Sequence, residues 1–322
     1  MKNNKTFLVK ALFIEKRLPY RYKKKLELFF IIPNFYIQFF VFSILEFFNR
    51  SKQGISIIIP CFNQGNYLTE AVESVINQDY QNIEIIIVND FSSDKTEYIA
   101  EDLIKKYSNY NIILLNNRSN FGLAKSRNIG INKSSNELAY FLDSDDKIHP
   151  KTLSTLLKFL KYRNASFVCP GMIKFGDVFQ KQWKLRFNKK NQPFINSFIA
   201  VGLIKKSAWM ESGGFNPNMK YGWEDWDFSL SLIEKNQKII VAAKPLYYHR
   251  RKSESMMSSL WNNEKKKRSM IIQLIRNHPI LYKKYSIEEL VDKFSYRDIN
   301  LEVLYAELKN ILNQSAIHKN DY

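Results

Sequence analysis

The chain has 322 residues, 45% hydrophobic and 25% charged, with ten glycines and two distant cysteines, Cys61 and Cys169. These figures exclude a disordered chain, a collagen-like or solenoid repeat, a disulfide scaffold and a cysteine-rich zinc module, and they fit a reducing compartment. The net charge of +18 sits at the ends, +8 in residues 1–25 and +6 in residues 244–322; a nucleic-acid enzyme usually lines its cleft with bases, so this distribution points to an anionic membrane surface and away from nucleic acid.

Residues 28–45, LFFIIPNFYIQFFVFSIL, carry no charge and follow Lys23, Lys24 and Lys25 directly. The run starts late and no small-residue cleavage site follows it, so it does not read as a signal peptide. Three readings stay open. One is an aromatic-rich helix lying in the membrane interface, another is a helix packed on the protein, and the third is a short span.

From residue 54 short apolar runs alternate with amphipathic stretches. ISIII (55–59), IEIIIV (83–88), IILL (112–115) and LAYFL (138–142) read as strands. Between them Leu68, Ala71, Val72, Val75 and Ile76 recur at helical spacing. So do Ile99, Leu103 and Tyr107, behind a cap at Ser93 or Asp94, and 122–132 is helix-like. The alternation predicts an α/β sheet, mostly parallel and flanked by helices, whose ligands bind beyond the carboxyl ends of the strands. There the chain reads PCFN, NDFSSD and DSDD. No dinucleotide fingerprint or P-loop follows any strand. Further on, SFVCP reads as a strand and 172–195 as a loop or hairpin. FIAVGLI (198–204) reads as a strand, 206–212 as a helix closed by Gly213-Gly214, and 223–236 as an acid-led helix. KIIVAA (238–243) is a last strand running toward His249, and 258–314 is helical.

Three constellations carry chemistry. Asp143 and Asp145 lie two apart, so on an extended strand end they face one side; clustered carboxylates need a cation, and Mn²⁺ or Mg²⁺ bridging to phosphate supplies one. The bland alternative is a solvated loop with capping acids. Glu224-Asp225 lies between Trp223 and Trp226, where apolar surroundings raise a carboxylate toward a general base; the alternative is ordinary acid enrichment at a helix N-terminus. His249 precedes Arg250, Arg251 and Lys252, a candidate metal ligand with phosphate-binding bases, or else a surface histidine in a solvated charge run.

Together, ISIIIPCFNQGNYLTEAVESVINQDYQNIEIIIVNDFSSDKT, NRSNFGLAKSRNIGINKSSNELAYFLDSDDKIHP and SGGFNPNMKYGWEDWDFSLSL resemble a family 2 glycosyltransferase of the GT-A fold. The resemblance covers about residues 54–255. It implies inverting transfer of a sugar from a nucleotide sugar, UDP-linked in the first instance, to a glycan or glycolipid acceptor. By the same resemblance Pro60, Phe62, Asn63, Asp90, Arg127, Asp143 and Ser144 bind the nucleotide sugar, and Asp143, Asp145 and His249 hold the metal. Gly214, Trp223 and Glu224 border the acceptor, and Asp225, aided by Glu224, is the base. NDFSSD departs from the commoner DDGSSD at Asn89 and Phe91. The periodicity of the helix through Leu232 also places Asp225 on its inner side.

The expected layout is a basic, membrane-associating segment (1–50), a GT-A domain (51–256) and a helical extension (257–322). The expected role is cell-surface polysaccharide or lipopolysaccharide synthesis at the cytoplasmic face of a membrane, or in the cytoplasm. A non-catalytic sugar-binding relative is disfavoured by the intact DSDD and Glu-Asp motifs. A polymerase is disfavoured because neither a second transferase domain nor a multi-helix pore is present. A Golgi-type protein glycosyltransferase is disfavoured by the absence of a stem.

Overall fold

The computed structural model describes residues 53–317, apart from 178–180, 184–186 and 253–255. The N-terminal segment, with its membrane-association expectation, lies outside the described residues.

β1 (Ile55–Cys61) is buried along its whole length, as a central parallel strand must be. It pairs in parallel with β2 (Ile83–Asn89) on one side and β4 (Leu138–Phe141) on the other, and β2 pairs in parallel with β3 (Asn111–Asn116). β8 (Gly202–Lys205) runs antiparallel to β4 and to β6 (Phe167–Gly176). β6 is parallel to the long β9 (Ile239–Arg251), and β9 carries the two-residue β5 (Lys147–Ile148) antiparallel at its far edge. β7 (Lys181–Trp183) forms a hairpin with β6, the arrangement expected within 172–195. Among the described residues the sheet order is thus β3-β2-β1-β4-β8-β6-β9-β5.

The strand period of two sorts the core. Ile57, Ile59, Ile85 and Ile87 face α1 (Gly65–Ile76), α2 (Thr96–Lys106) and α4 (Thr152–Tyr162). Ile58, Ile86 and Val88 face α3 (Leu123–Lys133), α5 (Lys206–Ser212) and α6 (Glu224–Glu234). α6 is buried on two sides. Phe228 and Leu232 meet the sheet, while Trp226, Leu230 and Ile233 meet the C-terminal extension. That extension comprises α7 (Met256–Trp261), α8 (Glu264–Asn277), α9 (Pro279–Tyr282), α10 (Ile287–Phe294), a 3₁₀ turn (Ser295–Arg297) and α11 (Leu301–Ile317).

Three local expectations change. Strand pairing in 198–204 begins only at Gly202. Phe198 and Ala200 are buried without a ladder, Phe198 packing 4.9 Å from Phe167, so the apolar run marks core rather than strand. The cap residue of α2 is Lys95, but Asp94 does the capping: its carboxylate accepts from the Thr96 N–H at 2.9 Å and from the Gly65 N–H of α1 at 3.0 Å. β4 ends at Phe141, and DSDD is a tight turn closed by the Asp146 N–H on the Asp143 carbonyl at 3.1 Å, not an extended strand end.

Candidate active site

The ends of β1, β2 and β4 meet at one edge of the sheet. Pro60 is buried there, paired with Val88, and the Asp90 N–H donates to the Cys61 carbonyl at 2.8 Å. Asn63, with φ 52°, takes a left-handed conformation that asparagine tolerates; its side-chain oxygen accepts from the Ser93 N–H at 2.8 Å. The buried Asp90 carboxylate accepts from Phe121 N–H (2.9 Å), Gly122 N–H (2.8 Å) and the Asn117 amide (2.7 Å), tying the 117–122 loop to β2. Phe62, Phe91 and Phe121 stand exposed on these loops.

The DSDD turn sends its four side chains in different directions, because a turn rotates successive residues where a strand end would have aligned Asp143 with Asp145. Asp143 meets Arg127 at 2.7 Å. Ser144 is buried and gives its hydroxyl to Gln64 at 2.6 Å. Asp145 meets Lys252 at 2.5 Å. Asp146 points inward and accepts from the Tyr247 hydroxyl, from the Arg250 N–H at 2.6 Å, and from His249 Nδ1 at 3.2 Å. The β5–β9 pairing, Lys147 opposite Tyr248 and Ile148 opposite Tyr247, brings this segment to the turn. Burial pushes the Asp146 carboxyl up to about 6 against the opposing pull of His249. Burial alone would lower His249, but its bond to Asp146 and the charges of Asp143 and Asp145 hold it above its usual value.

His249 Nδ1 lies 3.2 Å from both the Asp146 carboxylate and the Tyr247 hydroxyl, so the ring is oriented by a carboxylate, as metal-ligating histidines commonly are, and would offer Nε2 to an ion. Carboxylate oxygens with one imidazole suit Mn²⁺ or Mg²⁺. The residues fit such an ion chemically. Among the described residues no three ligands converge on a point, since Asp143 and Asp145 are each held by a side-chain cation.

α6 supplies the acidic pair. Its cap residue, Trp223, has φ 62°, a costly conformation for a bulky side chain. Glu224 is buried against Arg127 at 2.8 Å, so the Arg127 guanidinium bridges Asp143 to Glu224; its Nε has no partner among the described residues. Asp225 stays half-buried, and Asn196 Nδ2 donates to both its oxygens at 3.2 Å. Burial, reinforced by the neighbouring Glu224 charge, pushes the Asp225 carboxyl up to about 7. Two adjacent carboxylates thus differ. One is neutralised by a guanidinium, while the other is poised to take a proton near neutral pH.

Gly214 (φ 75°) has no room for a side chain, since a Cβ would lie 2.8 Å from the Trp209 ring nitrogen and 2.9 Å from Asn128. Asn128 in turn bonds both backbone groups of Phe215, which stacks on Phe228 at 4.2 Å.

Sequence reasoning missed Asp146 as the hub of the turn. It also missed Asn196, and Glu70 of α1, which pairs with both Lys147 and Arg250. Asp146 was visible within DSDD. Asn196 and Glu70 lie in no local pattern and enter only through long-range packing.

Residues 56–221 match glycosyl transferase family 2. The chain belongs to that family. This family 2 enzyme is 32% identical over 192 residues to an uncharacterized glycosyltransferase of Haemophilus influenzae, spanning 58% of this chain and 74% of that protein. Over 106 residues it is 41% identical to the minor teichoic acid biosynthesis protein GgaB of Bacillus subtilis, 32% of this chain but only 12% of that one. In structure it is similar to S. aureus TarS 1–349 in complex with UDP-GlcNAc, with TM-score 0.59 and 22% identity over 76% of this chain and 72% of that one. It is also similar to a mannosyltransferase from Pyrobaculum calidifontis in complex with GDP-Man and Mn²⁺, with TM-score 0.59 and 16% identity over 82% and 81%. The fold is GT-A and the enzyme is a glycosyltransferase. The family match ends at Tyr221, so the acidic pair of α6 lies just beyond it.

Proposed function

We propose that this glycosyltransferase transfers a sugar, with inversion, from a UDP-sugar to a glycan or glycolipid acceptor of cell-surface polysaccharide synthesis. The observation that carries the reading is the pairing of a proton-accepting carboxylate, Asp225, with a neighbour neutralised by Arg127, beside the DSDD turn. Asp225 takes the proton of the acceptor hydroxyl as its oxygen attacks the anomeric carbon, and the bond to the diphosphate breaks on the opposite face. Arg127 and Lys252 place positive charge where the diphosphate leaves, and the backbone of Pro60–Asn63 and the loop held by Asp90 shape the nucleoside site. Phe62, Phe91 and Phe121 offer exposed ring faces to the base. Asp143, Asp145 and His249 would hold Mn²⁺ or Mg²⁺, which when bound stabilises the leaving diphosphate charge as a Lewis acid. Ser144 acts through the turn's backbone, its hydroxyl being given to Gln64. Gly214, Trp223 and Glu224 border the acceptor.

UDP and UDP-GlcNAc complexes of TarS support a uridine donor, and the teichoic acid relative supports a surface-polymer pathway. The basic N-terminal segment supports work at an anionic membrane surface, at its cytoplasmic face. The test is a hydrolysis screen of purified protein against a panel of nucleotide sugars, with and without Mn²⁺. Release of UDP from one UDP-sugar in the presence of Mn²⁺ is the expected result. Turnover of no nucleotide sugar, with no binding of UDP, overturns the reading.

A further inference from the structure

We propose that Arg297, in the C-terminal extension, is a positioning residue for Asp225, acting through Trp223, Trp226 and the 192–196 loop. The proposal rests on the reading of Asp225 as the base.

Arg297 is buried, yet among the described residues it makes no salt bridge and its Nε has no hydrogen-bond partner. Four rings enclose its guanidinium: Tyr296 at 4.5 Å, Trp226 at 4.7 Å, Trp223 at 5.0 Å and Trp261 at 5.2 Å. A buried cation without a carboxylate is costly, and an apolar side chain of like volume would fill the same space more cheaply. What the cation adds is attraction to ring faces, which fixes where those rings lie.

Two of those rings flank the acidic pair. Trp223 holds its left-handed φ of 62° immediately before Glu224 and Asp225, and such strain persists only where the surroundings enforce it. Trp223 is almost fully buried, with Trp226 at 5.2 Å and Arg297 against its ring. Trp226 reaches Asp225 twice. Its backbone N–H donates to Asp225 Oδ1 at 2.7 Å. Its indole N–H donates to the Gln192 carbonyl at 2.6 Å, and the Gln192 side chain donates to Asn196 Oδ1 at 3.0 Å. That bond, with the Phe198 N–H on the same oxygen, turns the Asn196 amide so that its Nδ2 faces Asp225. The extension holds the loop as well, through the Tyr282 hydroxyl on the Pro193 carbonyl (2.6 Å) and the Tyr296 hydroxyl on the Phe194 carbonyl. The extension thus grips both supports of Asp225, the start of α6 and the loop carrying Asn196. The charges bearing on Asp225 itself are Glu224 and Arg127, and neither belongs to the extension.

The test compares Arg297→Met, which fills the cage without charge, with Arg297→Lys, which keeps a cation over the rings. Three quantities are read: affinity for UDP with Mn²⁺, turnover of the donor found in the screen, and the Asp225 titration by carboxyl ¹³C NMR. The NMR reading needs no substrate. In Arg297→Met, turnover falls about 10–100-fold, the scale of an ångström-sized misplacement of a reacting group. UDP affinity stays within about twofold, as expected when misplacement is confined to the base. The Asp225 midpoint moves from about 7 toward the ordinary carboxylate range. Arg297→Lys recovers most of both changes. A wild-type midpoint and turnover in Arg297→Met overturns the proposal, as does a loss of UDP affinity that tracks the loss of turnover in both variants. If the wild type turns over no nucleotide sugar, the transferase reading fails on its own, and the Asp225 titration still decides the role of Arg297.

Discussion

Arg127 and Glu224 meet at 2.8 Å across 97 residues of chain, joining the helix after β3 to the start of α6. The same guanidinium holds Asp143 at 2.7 Å, so one buried cation ties the DSDD turn to the acidic pair. Removing it strands two carboxylates. Arg127→Met should destabilise the fold by about 3–5 kcal/mol, the range for breaking a buried ion pair, read from urea denaturation. Arg127→Lys, without the planar fork, should keep only one of the two contacts and lose UDP affinity. Wild-type stability in Arg127→Met would remove the bridge from the account.

Asp225→Asn should lower turnover by about 10²–10⁴ while leaving UDP affinity nearly unchanged. Because the base must be ionised, wild-type kcat/KM should rise with pH through about 7. Stability runs the other way. The folded carboxyl is raised above its ordinary value, so the folded state holds a proton that the unfolded chain has lost between about pH 4 and 7. This group's contribution to stability therefore falls as pH rises through that window. Asp225→Asn should melt higher than wild type at pH 8, with the gain shrinking toward pH 4. If Glu224→Gln instead abolishes turnover and Asp225→Asn does not, the two roles are exchanged.

Divalent ion should be needed for donor binding. Mn²⁺ should raise the wild-type Tm in the presence of UDP, by mass action on the folded state. Asp145→Asn and His249→Gln should each abolish that rise and the transfer, with the fold intact by circular dichroism. Full activity in excess chelator would falsify the metal assignment.

The protein should sediment with anionic vesicles and not with neutral ones, and high salt together with loss of residues 1–48 should release it. Each base near such a surface is worth roughly 1 kcal/mol, and residues 1–25 carry a net +8. Equal partition onto neutral and anionic vesicles would show that charge plays no part.

The GT-A core was legible in the sequence because its parallel strands are buried on both faces and read as continuous apolar runs such as ISIII and IEIIIV. NDFSSD and DSDD stood out because they end such runs, and Glu224-Asp225 because it lies between two tryptophans. The choice of Asp225 over Glu224 rested on the family resemblance and on helical periodicity, and the periodicity argument misjudged the faces. The structure buries Glu224 against Arg127 and leaves Asp225 half-buried, because an ion pair, not apolar spacing, draws the first turn of α6 inward. Local pattern failed where tertiary packing decided. The DSDD segment is a turn because Asp146 is drawn inward to Tyr247, His249 and Arg250, more than a hundred residues away. Phe198 and Ala200 lie in the core without strand pairing, because burial and ladder formation are separate requirements.

By itself the sequence determined which residues could bury, and therefore the strands, the helices and the edge of the sheet where charge collects. Only the tertiary structure decided which carboxylate meets which cation. Ion pairing and the raising of a carboxyl group depend on distance and on exclusion of water, and both arise only when α6, the DSDD turn and the C-terminal extension pack around Arg127, Asp225 and Arg297.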